Sequence, residues 1–299
     1  MPSLLDKRLV LVTGKGGVGK TTVAAALGLI AARRGRRVVL CEVADQARLS
    51  GMLGPLPHEG LHLESVEPER AKQEWLRYQL KSRTLAGVLG GSGLFQYLTA
   101  AAPGLTELVT MGKVWDLAQL EPRTGGPGYD LAIVDAPATG HGLAMLRAPS
   151  TYANIARVGP VGRHAERIDS FVRDPAQTGV LTVALPEEMP VNETVEFERA
   201  LQRELVLAVD TIVVNALHPS RWGKEDVRRL EEVDGGGKVA RAAIDAALSE
   251  HRRARAEHAQ VRRLRRAASA PVVTLPRVFE PELRREHLER LSVELERKL

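Results

Sequence analysis

Thiols are almost absent: the 299-residue chain has one cysteine, Cys41. A single thiol forms no disulfide within the chain and supplies no CxxC or four-cysteine metal site. Methionines number five and aromatic residues make up 4%, so a flexible Met-rich surface for promiscuous binding is not evident. Long apolar runs are also missing. Val23–Ala32 is among the longest, well short of the ~18 residues a membrane span needs. The opening MPSLLDKRLVLVTG lacks the layout of a secretory leader. These scarcities predict a soluble, cytoplasmic protein.

What is present is enough for a sizeable core, with 44% hydrophobic residues. Net charge is +5, and its location matters more than its size. Residues 241–266 carry eight Arg and three acids, Asp245, Glu250 and Glu257. That segment holds the whole excess, and the rest is neutral.

Short Leu/Val runs alternate with helical stretches. Arg8–Thr13 precedes a glycine turn, an Ala/Leu helix over about Lys20–Arg34, and a second run at Arg37–Glu42. This βαβ order implies parallel strands with a right-handed crossover. Further strands are predicted at Leu61–Val66, Asp130–Asp135, Gly179–Leu185, Thr211–Asn215 and Pro271–Leu275. Helices are predicted over 189–207, with Glu193, Glu196 and Glu198 near its start, and over 280–298. The chain therefore reads as α/β with a doubly wound, mostly parallel sheet. One domain is expected over 1–299, with a helical subdomain at about 67–121 and a helical insertion at about 222–268. The apolar spacing within 67–121 fits a helical layer packing its own core, or an exposed groove for a client.

Gly14-Lys15-Gly16-Gly17-Val18-Gly19-Lys20-Thr21 fits GxxxxGK[ST] between a strand and a helix, the context that gives the motif meaning, so the expected fold is that of a P-loop NTPase. Converging backbone N–H groups and the helix N-terminus suit phosphate oxygens. Lys20 should reach the β and γ phosphates, and the Thr21 hydroxyl should coordinate Mg²⁺. Thr22 follows in the same expected contact set. Asp135, at a strand end, is placed to hold Mg²⁺ or to cap the next helix. Gly140 follows, with a backbone N–H placed to sense the γ-phosphate. Asn215 ends a strand without the [NT]KxD acid that reads guanine, which favours ATP; its amide bonds an adenine edge or serves a turn.

The loop GKGGVGKTT resembles the deviant Walker A of dimeric ATPases, and DAPATGH at 135–141 is similar to the DTAPTGH switch of arsenical-pump and tail-anchored-protein-targeting ATPases. Further matches are LHLESVEP at 61–68, the PG-x-x-E helix start at 103–107, DP-x-x-T at 174–178, Val213-Val214-Asn215 and Leu275-Pro276. The ordered set covers roughly residues 8–295. The resemblance implies an ATP-sandwiched dimer, with itself or with a paralogous ATPase, in which Lys15 approaches phosphates across the interface. It also implies adenine contacts from Asn215, Pro276 and Arg277.

Three departures qualify the resemblance. Where the family reads DPAHSL, this chain reads Glu42-Val43-Ala44-Asp45-Gln46-Ala47-Arg48-Leu49. The water-orienting acid is therefore displaced, and Asp45 is only a weak catalytic candidate. With one cysteine, no arsenite site, no interface zinc and no iron–sulfur cluster is expected. Only 32 residues separate His141 from Asp174, too few for the long client lid of the targeting ATPases. The chain thus reads as a bacterial member lacking the CxxC and the lid.

Arg252, Arg253, Arg255, Arg262, Arg263, Arg265 and Arg266 lie on a predicted helix within 252–266. They read as a solvated face with Glu partners in the chain, or as a surface for an acidic protein, DNA or membrane. Aromatic interleaving is missing, so nucleic acid is disfavoured. The leading expectation is an ATP-hydrolysing dimeric switch that is not itself an arsenite binder, with a hydrophobic or membrane-protein client engaged through 84–120. The alternatives are a weakly catalytic subunit of a hetero-oligomer with a paralogue, and a DNA- or membrane-associated positioning ATPase.

Overall fold

Alternating apolar side chains send each strand's residues to two faces, and both faces here are covered. The computed structural model describes residues 3–43, 48–56, 58–80, 104–123, 125–156, 159–233 and 236–299. Within them, β1 (Leu9–Gly14), β2 (Val38–Val43), β3 (Leu61–Val66), β4 (Leu131–Asp135), β5 (Thr178–Ala184), β6 (Thr211–Leu217) and β7 (Val272–Pro276) form one sheet. The strand order is β3-β2-β4-β1-β5-β6-β7, and every pairing is parallel. Parallel neighbours need crossovers, which place helices on both faces and bury the central strands throughout. β1 and β5 are accordingly buried at every position.

On one face, Val10, Val12, Leu40, Ile133, Leu181 and Val183 pack beneath α1 (Lys20–Arg33), α2 (Arg48–Leu53) and α10 (Arg285–Glu296). α1 is buried from Thr22 to Ala32, so it needs small residues all round and shows no polar stripe. α10 lies over it, burying Leu288, Leu291 and Leu295. Arg33 and Arg34 both donate to the Glu296 carboxylate at 2.9 Å, and the Arg33 hydrogen bond leads in holding that carboxyl below its ordinary range.

The other face carries Leu9, Leu11, Cys41, Val134, Val180 and Val214. It is covered by α4 (Leu105–Leu117), α5 (Thr139–Ile155), α6 (Pro160–Arg173), α7 (Glu188–Leu205) and the C-terminal half of α9 (Gly237–Ala267). α3 (Pro68–Leu80) packs on α4, and α8 (Lys224–Glu232) on α9. Burial pushes the Cys41 thiol up.

One outcome was not evident in the sequence. The stretch between the DAPATGH segment and β5 is polar on average, yet it folds into α5 and α6, packed on each other. Ala165, Ile168 and Val172 are fully buried at helical spacing, so α6 is a narrow amphipathic helix. α5 carries Pro149 inside it, which masks its helical pattern. The aromatic-rich segment follows the core-packing alternative where it is described. In α4, Leu108, Met111, Val114, Trp115 and Leu117 all join the core, while 81–103, with most of the expected client segment, lies outside the described residues. Among the described residues, no helix is long and apolar enough to cross a membrane.

Candidate functional site

The glycine loop closes the C-terminal end of β1 over the first turn of α1. Gly19 caps α1 at φ 94, a backbone that favours glycine. A Cβ there would lie 2.2 Å from Asn215 Nδ2, so contact as well as conformation requires glycine. Val18 is 1% exposed and packs its side chain into the α1-side core, while Gly16 and Gly17 are exposed. Gly14 presses on β5, where a Cβ would lie 2.2 Å from Val183 O. The loop is thus pinned at Gly14, Val18 and Gly19, and its exposed arch can present N–H groups. Lys20 Nζ donates to Lys15 O at 3.1 Å across this arch, and burial lowers the Lys20 pKa. Thr22 is buried.

The register of β1, β2 and β4 sets Asp135 level with Val12 and Glu42, beside the loop. Thr21 Oγ1 donates to Asp135 Oδ2 at 2.6 Å. Asp135 Oδ1 is buried and has no hydrogen-bond partner among the described residues. Burial raises the Asp135 pKa, against the opposing Thr21 hydrogen bond and the nearby Lys20 charge. An orphaned carboxylate oxygen beside a threonine hydroxyl suits a hard cation such as Mg²⁺ or its water shell. The residues present therefore fit the metal that a P-loop uses. No helix-capping bond from the Asp135 side chain accompanies α5, whose N-cap is Ala138 without a side-chain hydrogen bond.

Gly140 and His141 lie exposed in the first turn of α5, two to three residues past the N-cap, where helix N–H groups are unpaired within the helix. Gly142 follows against β1, where a Cβ would sit 2.7 Å from Thr13 Oγ1. This close approach ties α5 to the strand that carries the loop.

The third part of the site is the β6–β7 edge. Asn215 is 9% exposed, and its Nδ2 donates to Val18 O at 3.0 Å. This amide thus holds the phosphate loop itself, a role with no signal in the local residue pattern. Ala216 has φ 55, an unusual backbone for a residue with a Cβ, at the irregularity between Val214 and Leu217 in the β6–β7 ladder. That bulge pairs Leu217 with Pro276, and Arg277 N donates to Leu217 O at 2.9 Å. Asn215, Pro276 and Arg277 thus share one sheet edge near the loop, with Pro276 and Arg277 exposed.

Asp45 lies outside the described residues. Glu42, the other nearby acid, accepts from the Arg48 and Leu49 N–H groups at 3.0 and 3.1 Å, capping the start of α2. Glu193 on α7 was missed as a site residue: its Oε1 lies 2.5 Å from Lys15 Nζ. Its only sequence signal was its place in the acidic start of that helix. Among the described residues, no group of three His, Cys, Asp or Glu is placed to hold a metal ion.

Comparison with known proteins agrees with this arrangement. A family model described as anion-transporting ATPase matches residues 7–159. ATPase BagA of Mycobacterium tuberculosis is 31% identical over 251 residues, 79% of this chain and 73% of the relative. The arsenical pump-driving ATPase of Escherichia coli is 29% identical over 211 residues, 70% of this chain and 35% of that longer protein. ATPase GET3C of Arabidopsis thaliana is 24% identical over 275 residues, 73% of this chain and 69% of the relative. The loop, its strand and helix, and the β4 acid all fall inside the matched region, so the chain belongs to the anion-transporting ATPase family and is a nucleotide-binding P-loop ATPase of that class.

Proposed function

We propose that this chain is a Mg²⁺-dependent ATPase acting as a dimeric nucleotide switch and not itself an arsenite binder. The observation that carries the reading is the Thr21–Asp135 pair at 2.6 Å beside Lys20, with Asp135 Oδ1 left without a partner among the described residues. In this reading Thr21 and Asp135 hold the metal, Lys20 and the loop N–H groups bind the phosphates, and Lys15 meets phosphates across the dimer. When bound, Mg²⁺ offsets negative charge shared by the β and γ phosphates. The first turn of α5, with Gly140 and His141, responds to the γ-phosphate, and the Gly142–Thr13 contact links its position to β1. Asn215, Pro276 and Arg277 line the base. A hydrophobic or membrane-protein client is engaged through 84–120, a segment in which α4 gives most of its apolar side chains to the core.

A second reading, a weakly catalytic subunit working with a paralogous ATPase, is favoured by two observations. The Glu42 carboxylate is already engaged at the start of α2, and the water-orienting acid of the family pattern is replaced at its expected position.

Steady-state ATP hydrolysis, measured on the purified chain alone and with a paralogue, tests both. Turnover alone that is lost in Lys15→Ala and Asp135→Ala supports the switch. Turnover only on mixing supports the second reading.

A further inference from the structure

We propose that Glu193 is a positioning residue that latches Lys15 to its own chain, so that Lys15 crosses to a partner subunit only when the latch opens. The inference rests on the ATP-dependent dimer proposed above and adds a residue outside every motif of the loop.

The ion pair joins the exposed arch of the loop to α7 at 2.5 Å. The two ends differ in freedom. Glu193 stands on a firmly held helix segment: Val191 is fully buried and Val195 is 9% exposed on either side of it. Its neighbour Asn192 accepts a hydrogen bond from Arg263 of α9. Glu198, further along α7, accepts from the Ser269 and Ala270 N–H groups just past α9. The helix turn that carries the carboxylate is therefore held in place. Lys15 is followed by two exposed glycines whose Cβ positions are open, and its own carbonyl is held by Lys20. The flexible lysine side chain is the part that can move.

Both partners are about one-third exposed, 34% and 33%. A pair this open holds weakly, so it opens without leaving a buried charge behind. One ammonium group cannot sit against its own Glu193 and against a partner's phosphate at once. The latch therefore sets the threshold for dimer closure, and a symmetric dimer opens two of them. Exposed pairs of this kind change an equilibrium by about 1.4- to 5-fold, so removing both should tighten the dimer by roughly 2- to 25-fold.

The test is sedimentation velocity across protein concentration with ATP and Mg²⁺, on wild type, Glu193→Gln, Lys15→Ala and the double variant. The expected result is a tighter ATP-dependent dimer in Glu193→Gln, with an unchanged melting temperature, and no effect of Glu193→Gln in the Lys15→Ala background. A second readout uses nucleotide-free protein: limiting acetic anhydride should acylate Lys15 faster in Glu193→Gln, with Lys224 as the internal reference by mass spectrometry. A dimer equally tight or weaker in Glu193→Gln, or an unchanged Lys15 acylation rate, overturns the latch. A wild-type chain that stays monomeric with ATP instead overturns the dimer reading beneath it.

Discussion

Replacing Asn215 by Ala separates two roles that one amide can play. If Asn215 only reads a base, the nucleotide-free protein should not notice the change. The structure has its Nδ2 donating to Val18 O at 3.0 Å, with Val18 1% and Asn215 9% exposed. Truncation leaves that carbonyl buried without its donor, at a cost of about 1–3 kcal/mol. The unfolding entropy of a chain this size is roughly 0.6 kcal/mol per degree, so the melting temperature should fall by roughly 2–5 °C. Scanning calorimetry on nucleotide-free protein measures this. Because the same bond sets the loop's shape, affinity for ATP and for inorganic triphosphate should fall together, by up to roughly tenfold. Asn215→Asp should be worse, since a carboxylate oxygen would then face Val18 O. An unchanged nucleotide-free melting temperature, with a loss confined to ATP and absent for triphosphate, would refute the clamp and leave Asn215 as a base contact alone.

Three further outcomes follow from contacts elsewhere. Lys7 is 3% exposed, with its ammonium on Asp210 and on Thr178 O; Asp210→Ala should destabilise by about 3–5 kcal/mol in urea unfolding, and a loss under about 1 kcal/mol would contradict the pair's importance. Gly142→Ala forces a Cβ to 2.7 Å from Thr13 Oγ1; it should lower ATP turnover more than nucleotide affinity by displacing α5, and equal losses in both would count against coupling between α5 and β1. His164 is held down to about 4, chiefly by burial and then by Arg123. Its folded form stays neutral while the unfolded imidazole protonates near its ordinary pKa of 6.5. Stability should therefore be intact above about 6.5 and fall as pH drops toward 4; melting curves of His164→Gln should show a shallower acid slope, and an identical slope would exclude this histidine.

The phosphate loop was legible because its chemistry is local: the glycines, two lysines and a threonine all lie in one strand–turn–helix. Asp135 was legible for a similar reason, as an acid ending an apolar strand. The strands were readable because parallel strands buried on both faces appear as short uninterrupted apolar runs. What stayed hidden depends on distant partners. Asn215 meets Val18 and Glu193 meets Lys15 only after the sheet brings together segments 197 and 178 residues apart, and no spacing rule predicts which polar groups will then touch. α5 and α6 were hidden by a proline and by a polar majority around a narrow buried stripe. The Arg-rich helix shows the opposite limit. Its composition led to an expectation of Glu partners within the chain, but Arg252, Arg253, Arg255, Arg262, Arg265 and Arg266 are exposed with no ion pair among the described residues. Arg263 instead reaches Asn192 and Gln260.

The most direct test of the account is calorimetric titration of ATP with Mg²⁺ into the wild-type chain and into Lys20→Ala and Asp135→Asn. The account predicts saturable binding to wild type, loss of binding in Lys20→Ala, and in Asp135→Asn a weakened dependence on Mg²⁺. Undiminished ATP binding in a folded Lys20→Ala protein would contradict it.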